Sequence, residues 1–225
     1  MRGILGRLRS LGYGAGLRLR NLAAALLVLP GAASAEPLVI AALGDSLTAG
    51  YGLPVEDGFV PQLERWLTEQ GADVEVRNAG VSGDTTRGGL SRAAWTLTDD
   101  VGAMIVTLGG NDLLRGIDPA SSRENLAGIL QAAAEAGVEV LMFSMAAPGN
   151  YGPDYKRDFD AMYPELASEF DVLLGPDFLQ PLMEAADGGF GTFMQPDGIH
   201  PNATGVSVIV EGLGPTVLSL VERAQ

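Results

Sequence analysis

Short apolar runs alternate along the chain with segments in which apolar residues recur at helical spacing. Residues 37–43 and 103–108 are nearly continuous apolar runs followed by glycine, a pattern typical of strands buried on both faces of a sheet. Because helical segments separate the strands, the sequence predicts an α/β fold, a three-layer α/β/α sandwich with a five-stranded parallel sheet. The predicted strands are residues 37–43, 74–78, 103–108, 138–144 and 172–174.

Five segments with helical spacing are the predicted helices. Ser122 is the expected N-cap of the third and Gly137 lies at its C-terminal end, whereas Gly88 and Gly89 are expected to interrupt the second. No linker, charge block or repeat divides residues 36–225, so we expect a single domain there. The predicted helices are residues 61–70, 85–96, 122–135, 153–170 and 203–224.

The first 35 residues differ in composition from the rest of the chain. They carry five arginines and no acidic residue, and the apolar run 22–29 is followed by a Pro-Gly pair and small residues up to Ala35. This order predicts a signal peptide, residues 1–35, cleaved near Ala35, and a periplasmic or secreted mature protein. The run is shorter than the ~20 residues of a membrane helix, so we expect no stable membrane span after cleavage. An uncleaved amphipathic anchor is the alternative.

Composition excludes several classes of site and partner. The 225 residues contain no cysteine, which excludes a disulfide scaffold, a cysteine nucleophile and a thiolate metal site. His200 is the only histidine, too few for an ordinary zinc site, although an oxygen-ligand Ca²⁺ or Mg²⁺ site stays open. The formal net charge is −14, and residues 36–225, with nine basic and 28 acidic residues, carry −19. Such acidity argues against a nucleic-acid partner.

Four polar segments lie where an α/β sheet usually binds its ligands. Three follow predicted strands: residues 44–47 (Gly-Asp-Ser-Leu), 81–85 (Val-Ser-Gly-Asp-Thr) and 109–112 (Gly-Gly-Asn-Asp). The fourth, residues 197–201 (Asp-Gly-Ile-His-Pro), precedes the last predicted helix. Because ligands of parallel sheets bind at the carboxyl ends of the strands, we expect the segments to share one cleft.

The residue types in these segments match the requirements of acyl transfer. Without cysteine, Ser46 is the candidate nucleophile, and a histidine base can only be His200. Asp197 precedes His200 by three residues in a predicted Asp-Gly turn, close enough to bond its Nδ1–H. Gly83 offers an unobstructed backbone N–H and Asn111 a side-chain amide, both of which suit an oxyanion.

Each segment taken alone has a simpler interpretation. Asp-Gly and Gly-x-Asn-Asp sequences commonly form turns, and a histidine beside proline in a loop is more often solvated or bonded locally. Asp45, Asp84 and Asp112 are expected to cap helices or bond loop backbone. The order of all four segments, at the strand ends of one sheet, favours the catalytic interpretation.

The segments resemble the sequence blocks of the SGNH, or GDSL-type, hydrolases, a name that refers to Ser, Gly, Asn and His. The resemblance covers nearly all of the chain from Pro37 to the last helix, and it is nearest to the bacterial periplasmic acyl-CoA thioesterase, lysophospholipase and arylesterase group. It implies a flavodoxin-like fold and no metal or other cofactor. The matching blocks are residues 44–51, 81–85, 108–112, 150–152 and 197–202.

The resemblance also implies a role for each candidate catalytic residue. Ser46 would be the nucleophile, His200 the general base and then acid, and Asp197 the residue that orients His200. The oxyanion hole would comprise the backbone N–H groups of Ser46 and Gly83 and the side chain of Asn111.

The implied reaction is ester hydrolysis through an acyl-enzyme, with a small-molecule ester or thioester as partner: an aryl ester, an acyl-CoA or a lysophospholipid. Leu113, Pro148, Asn150 and Tyr151 would bind this substrate. The loop of residues 144–149 differs from that of the relatives, so acyl-chain preference is the least transferable property. The alternatives are a carbohydrate acetylesterase, and a catalytically silent lipid- or glycan-binding module on the same fold.

Overall fold

A five-stranded parallel sheet forms the centre of the computed structural model, which describes residues 36–185 and 189–225. The predicted signal peptide, residues 1–35, lies outside these ranges. The strands are β1 (Leu38–Gly44), β2 (Val74–Gly80), β3 (Val101–Thr107), β4 (Glu139–Ser144) and β5 (Leu173–Asp177). The strand order is β2-β1-β3-β4-β5, and every neighbouring pair is parallel.

The apolar runs become strands because both faces of the sheet are covered. The side chains of Ile40 and Leu43 in β1, and of Met104 and Ile105 in β3, are fully buried. The chain leaves β1 toward β2 on one side and reaches β3 on the other, so the strand order reverses between β1 and β3. Ligands of such sheets bind at this reversal, beyond the carboxyl ends of the strands.

Helices pack on both faces of the sheet, which confirms the predicted three-layer α/β/α sandwich. One layer contains α2 and α8, with α7 against α8, and the other contains α3, α5 and α6. The short helices α1 and α4 follow β1 and β3 directly. The helices are α1 (Ser46–Ala49), α2 (Phe59–Glu69), α3 (Thr86–Thr96), α4 (Gly110–Arg115), α5 (Pro119–Ala136), α6 (Pro153–Phe170), α7 (Gln180–Ala185) and α8 (Ala203–Ala224).

Two local predictions about the helices are wrong. Helix α5 begins at Pro119 with Asp118 as its N-cap, so Ser122 is not a cap but lies inside the helix, where its side chain is fully buried. Helix α3 runs without interruption through Gly88 and Gly89. A Cβ atom at Gly89 would overlap the side chain of Leu108, so glycine there permits close packing rather than a break.

Helix α8 is the most apolar long helix in the part of the chain that the structure describes. By length and hydropathy it is the one described helix that could cross a membrane. Half of the apolar stretch of this helix is buried inside the molecule, where it packs against α2, α7 and the sheet. Burial of this kind is typical of a core helix of an α/β domain.

Candidate active site

Ser46 lies at the first turn after the central strand β1. Asp45 caps the short helix α1, and its Oδ1 accepts the backbone N–H of Leu47 at 3.0 Å. A Cβ atom at Gly44 would overlap the side chain of Thr48, so this sharp exit from the strand requires glycine. Ser46 is the first residue of α1, a position whose N–H has no acceptor within its own helix.

The carboxylate of Asp45 also positions the candidate oxyanion donor. It is only 2% exposed, and burial raises its pKa, while the hydrogen bonds from Leu47 and Asn111 oppose that rise. Its Oδ2 accepts Nδ2 of Asn111 at 3.1 Å. Because this bond uses one N–H of the amide, Asn111 keeps a second N–H, and its side chain lines the cleft beside Ser46.

His200 bridges Ser46 and Asp197. Its Nδ1 lies 2.6 Å from Asp197 Oδ2, and its Nε2 lies 2.8 Å from Ser46 Oγ. The hydrogen bond from the His200 side chain and the backbone N–H groups of His200 and Ile199 lower the pKa of Asp197 to about 2. An ionised carboxylate only accepts, so Nδ1 carries the proton and Nε2 is free to accept from the Ser46 hydroxyl.

Gly83 lies in a tight turn after β2. The N–H of Asp84 donates to the carbonyl of Val81 at 3.0 Å, and Gly83, the third residue of this turn, has φ +85°. That geometry is typical of a type II turn, which requires a positive φ at its third residue. Arg115 donates to the carbonyl oxygen of Gly83 at 2.8 Å. Gly83 itself lines the same cleft as Ser46.

Asp112, beside Asn111, connects α4 to its neighbouring helices. Its buried carboxylate accepts the N–H and the hydroxyl of Thr86 at 2.9 and 2.7 Å, and the hydroxyl of Ser122 at 2.8 Å. The first two bonds connect α4 to the start of α3, and the third connects it to α5. Ser122 therefore anchors α5 to α4, a role that its sequence context did not indicate.

A cavity of about 750 Å³ opens beside Ser46, and its walls are largely apolar. Every predicted substrate-binding residue lines it: Leu113 from α4, and Pro148, Asn150 and Tyr151 from the loop after β4. Within residues 36–185 and 189–225, no group of three or more His, Asp or Glu side chains is arranged to hold a metal ion. The lining residues bring a hydrogen-bonded serine, polar donors and an apolar wall together in one cleft.

The sequence matches the model of the GDSL-like lipase/acylhydrolase family over residues 42–208. The chain belongs to this family. The matched span runs from inside β1 to the first half of α8, so it contains all of the candidate catalytic residues. This confirms the resemblance to the SGNH hydrolases, and the chain is a hydrolase of ester bonds.

Curated relatives are similar over most of their length. The chain is 38% identical over 198 residues to Esterase TesA of Pseudomonas aeruginosa, covering 88% of this chain and 95% of the relative. It is also 38% identical over 194 residues to Thioesterase 1/protease 1/lysophospholipase L1 of Escherichia coli K12, covering 85% and 88%. An arylesterase of Vibrio mimicus is 37% identical over 186 residues, covering 81% and 90%.

Solved structures have the same fold. A crystal structure of TesA superposes with a TM-score of 0.73 at 38% identity, covering 81% of this chain and 99% of the other. The SGNH-hydrolase family esterase AlinE4 superposes with a TM-score of 0.67 at 42% identity, covering 82% and 97%. The predicted flavodoxin-like SGNH hydrolase fold is therefore confirmed.

Several residues of this GDSL-type hydrolase reach the cleft without having been predicted. The ring of Tyr51 packs on that of His200 with centroids 4.6 Å apart and an interplanar angle of 38°. Tyr51 ends the first sequence block, so its aromatic side chain was an available signal. The other unpredicted lining residues include Asp177, Leu179, Met183, Phe190 and Ile199.

Asp177 supports the wall of the cleft that is formed by the loop after β4. Its Oδ2 accepts the N–H of Ala146 at 2.6 Å, and its Oδ1 accepts the N–H of Leu179 at 2.9 Å. Both carboxylate oxygens are therefore bonded to backbone of lining residues. Strand β5 extends to Asp177, past the predicted end at Leu174, and no motif marked this position.

Proposed function

We propose that Ser46 hydrolyses esters through a covalent acyl-enzyme. The observation that carries the proposal is the continuous chain of hydrogen bonds from Asp197 through His200 to Ser46, at 2.6 and 2.8 Å. His200 Nε2 takes the hydroxyl proton while Ser46 Oγ attacks the acyl carbonyl, and it then returns the proton to the leaving alcohol or thiol. Water, activated by the same imidazole, releases the acid and regenerates the serine.

The negative charge that develops on the carbonyl oxygen would be stabilised by three donors. These are the backbone N–H groups of Ser46 and Gly83 and the side-chain amide of Asn111. In support, all three residues line the same cleft, and the carboxylate of Asp45 holds the amide of Asn111 with Nδ2 as the donor. Donors that are fixed before the reaction need no reorganisation as the charge appears.

We propose an acyl ester or thioester as substrate, with its acyl chain against Leu113, Pro148 and Tyr151, and with Asn150 as a polar contact. The largely apolar cavity wall supports this assignment. The relatives' names, which include esterase, thioesterase, lysophospholipase and arylesterase, extend it to aryl esters, acyl-CoA and lysophospholipids. A nucleic acid does not fit a domain with a net charge of −19.

The serine mechanism is tested by labelling with a neutral organophosphate such as diethyl p-nitrophenyl phosphate. We expect stoichiometric labelling of Ser46, no labelling of heat-denatured protein, and near-complete loss of p-nitrophenyl ester turnover in Ser46→Ala and His200→Ala. Persistent turnover by purified Ser46→Ala would reject the covalent mechanism. A panel of p-nitrophenyl esters of increasing chain length, acyl-CoA, lysophospholipid and acetylated xylose then identifies the substrate class, and a preference for acetylated xylose would contradict an acyl-chain pocket.

We further propose that residues 1–35 direct export and that residues 36–225 are the mature hydrolase domain, acting in the periplasm or outside the cell. The basic, then apolar, then small-residue order up to Ala35 supports this proposal. Expression of the full chain in a Gram-negative host, followed by mass spectrometry of the exported protein, tests it. A mature N-terminus near Glu36 is expected, and an intact N-terminus in the cytoplasmic fraction would contradict it.

A further inference from the structure

Arg92 lies on α3 and joins two chain segments beside the active site, the end of β1 and the end of β2 with the turn that follows it. Its Nε donates to Asp84 Oδ2 at 2.7 Å, its Nη1 to the carbonyl of Ala79 at 2.5 Å and its Nη2 to the carbonyl of Gly44 at 2.8 Å. The side chain is about one fifth exposed, and that of Asp84 is equally enclosed. One guanidinium therefore binds the ends of β1 and β2 and the turn that follows β2.

The three acceptors belong to the two segments that carry the candidate nucleophile and one oxyanion donor. Gly44 ends β1 two residues before Ser46, and its carbonyl also accepts the N–H of Val81 at 3.0 Å. Asp84 closes the type II turn that contains Gly83. The distance between Ser46 and the N–H of Gly83 thus depends on how these two segments are held together.

The chemistry of arginine suits this task better than that of any other cation. Its planar guanidinium presents donors in fixed directions, so the three acceptors on the two segments are held in a fixed arrangement. A lysine ammonium is a compact charge on a flexible stem and lacks this fork. A partly buried ion pair is weak evidence for stability by itself, because desolvation offsets much of the attraction, so its geometric role is the more informative one.

We propose that Arg92 is a positioning residue that fixes the turn of residues 81–84, here called the oxyanion turn, relative to the nucleophile Ser46. It touches neither substrate nor reacting atoms, and it acts through Gly44 and Asp84. This inference rests on the proposed roles of Ser46 and Gly83. Its consequence is specific: loss of Arg92 should misplace a donor that is used in the transition state, and so lower kcat more than it changes KM.

Arg92→Met and Arg92→Lys test the proposal, with Arg223→Met as the matched control. Arg223 also joins separate segments, bonding Glu139 Oε2 and the carbonyl of Asp171, both at 2.6 Å, but at the amino-terminal edge of the sheet. Three quantities are measured: kcat per active site titrated with the organophosphate, KM for p-nitrophenyl acetate, and the melting temperature. The rate of organophosphate inactivation is a fourth readout, because the phosphoryl oxygen uses the same oxyanion donors.

We expect Arg92→Met to lower kcat per titrated site by about 10- to 100-fold, the size of effect of a 1 Å misplacement. KM should change little, the inactivation rate should fall in parallel with kcat, and Arg92→Lys should be intermediate. Arg223→Met should lose melting temperature while keeping its kcat. An equal loss of kcat in Arg223→Met, or a wild-type kcat per site in Arg92→Met, would overturn the proposal.

The design separates this inference from the proposed function. If Arg92→Met does not fold, Arg92→Lys decides, and wild-type kcat and inactivation rate in that variant overturn the proposal. If the organophosphate does not label Ser46 in the wild-type protein, the proposed function itself has failed. Labelling of the wild type together with unchanged kinetics in both Arg92 variants would refute only the positioning role.

Discussion

Replacing Gly83 by alanine tests the proposed oxyanion role of its N–H, because it separates the conformation of the turn at residues 81–84 from the hydrogen bond that the N–H is proposed to donate. A Cβ atom at Gly83 would meet only a guanidinium nitrogen of Arg115, at 3.6 Å, an ordinary contact, so alanine fits sterically. The penalty is conformational, because φ is +85°. For a residue with a Cβ, the left-handed region costs roughly 1–2 kcal/mol.

The free enzyme and the transition state respond differently to this penalty. In the free Gly83→Ala enzyme, the peptide between residues 82 and 83 can flip to give a type I turn. The flip removes the strain and turns the N–H of residue 83 away from the cleft. In the transition state a donor is worth ~2.7–4 kcal/mol, more than the strain, so the original turn is restored for the reaction. The activation free energy therefore rises by the strain of the restored turn, and kcat/KM should fall about 5- to 30-fold. Asn111→Ala loses its donor irretrievably and should fall ~10²–10³-fold.

The assay compares kcat/KM for p-nitrophenyl acetate with the free energy of unfolding in urea. Gly137→Ala is the matched control, because Gly137 has φ +69°, leaves open space for a Cβ atom, and caps α5 at the opposite edge of the sheet. This control should lose about 1–2 kcal/mol of stability and keep its activity. Gly83→Ala should lose activity but less stability than the control, because the flipped turn relieves its strain.

Two results would refute the reasoning. A wild-type kcat/KM in Gly83→Ala, together with a loss of stability smaller than that of Gly137→Ala, would exclude the N–H of residue 83 from the oxyanion hole. A loss as large as that of Asn111→Ala would mean that the strained turn is not restored, so that the turn and the donor cannot be treated as separate free energies.

Three further predictions concern Asp197 and the buried carboxylate of Asp112. Asp197→Asn retains an oxygen that accepts the two backbone N–H groups, but its NH₂ faces Nδ1 of His200. This contact favours the tautomer of His200 in which Nε2 cannot accept the Ser46 proton. Steady-state kinetics should therefore show a loss of ~10⁴-fold in kcat. The pKa of Asp197 is lowered from 3.8 to about 2, so its carboxylate adds stability above the higher value and loses it as the pH falls toward the lower one. The stability advantage of the wild type over Asp197→Asn should accordingly shrink as the pH falls from about 4 toward 2, in urea titrations across pH. Ser122→Ala removes one donor to Asp112 and should cost about 1.5–3 kcal/mol in urea unfolding without lowering kcat.

The central strands β1 and β3 could be predicted from the sequence because burial on both faces leaves a nearly unbroken apolar run. The edge strand β5 was harder, because a Gly-Pro pair at residues 175–176 indicates a break, yet an edge strand tolerates proline where no partner needs its N–H. The predicted helix start at Pro61 likewise lies two residues inside α2, which begins at Phe59. First-turn N–H groups have no helical acceptor, so proline fits there without marking the first residue.

Four of the predicted catalytic and oxyanion residues line one cleft, because each follows a strand of a single parallel sheet or precedes α8: Ser46, Gly83, Asn111 and His200. Asp197 does not line the cleft and is connected to it through His200. The far wall of the cavity could not be predicted in the same way. Met183 lies on α7 and Phe190 in a single turn of 3-10 helix, Phe190–Phe193, and these elements enter the cleft through tertiary packing. Apolar side chains in such elements look like core residues in a sequence, because their local pattern is the same whether they face the core or a substrate.

Aspartate sets the orientation of two polar side chains in this site, the amide of Asn111 and the imidazole of His200. Asp45 accepts from Asn111 and so holds its amide with nitrogen as the donor, and Asp197 accepts from His200 and so selects its tautomer. A carboxylate can only accept, whereas an amide presents a donor and an acceptor and allows its neighbour to turn round. Asparagine in place of either aspartate would keep the size and the backbone hydrogen bonds yet lose the orientation. Aspartate at these two positions therefore directs the donors, a role distinct from the surface acidity that dominates the net charge of −14.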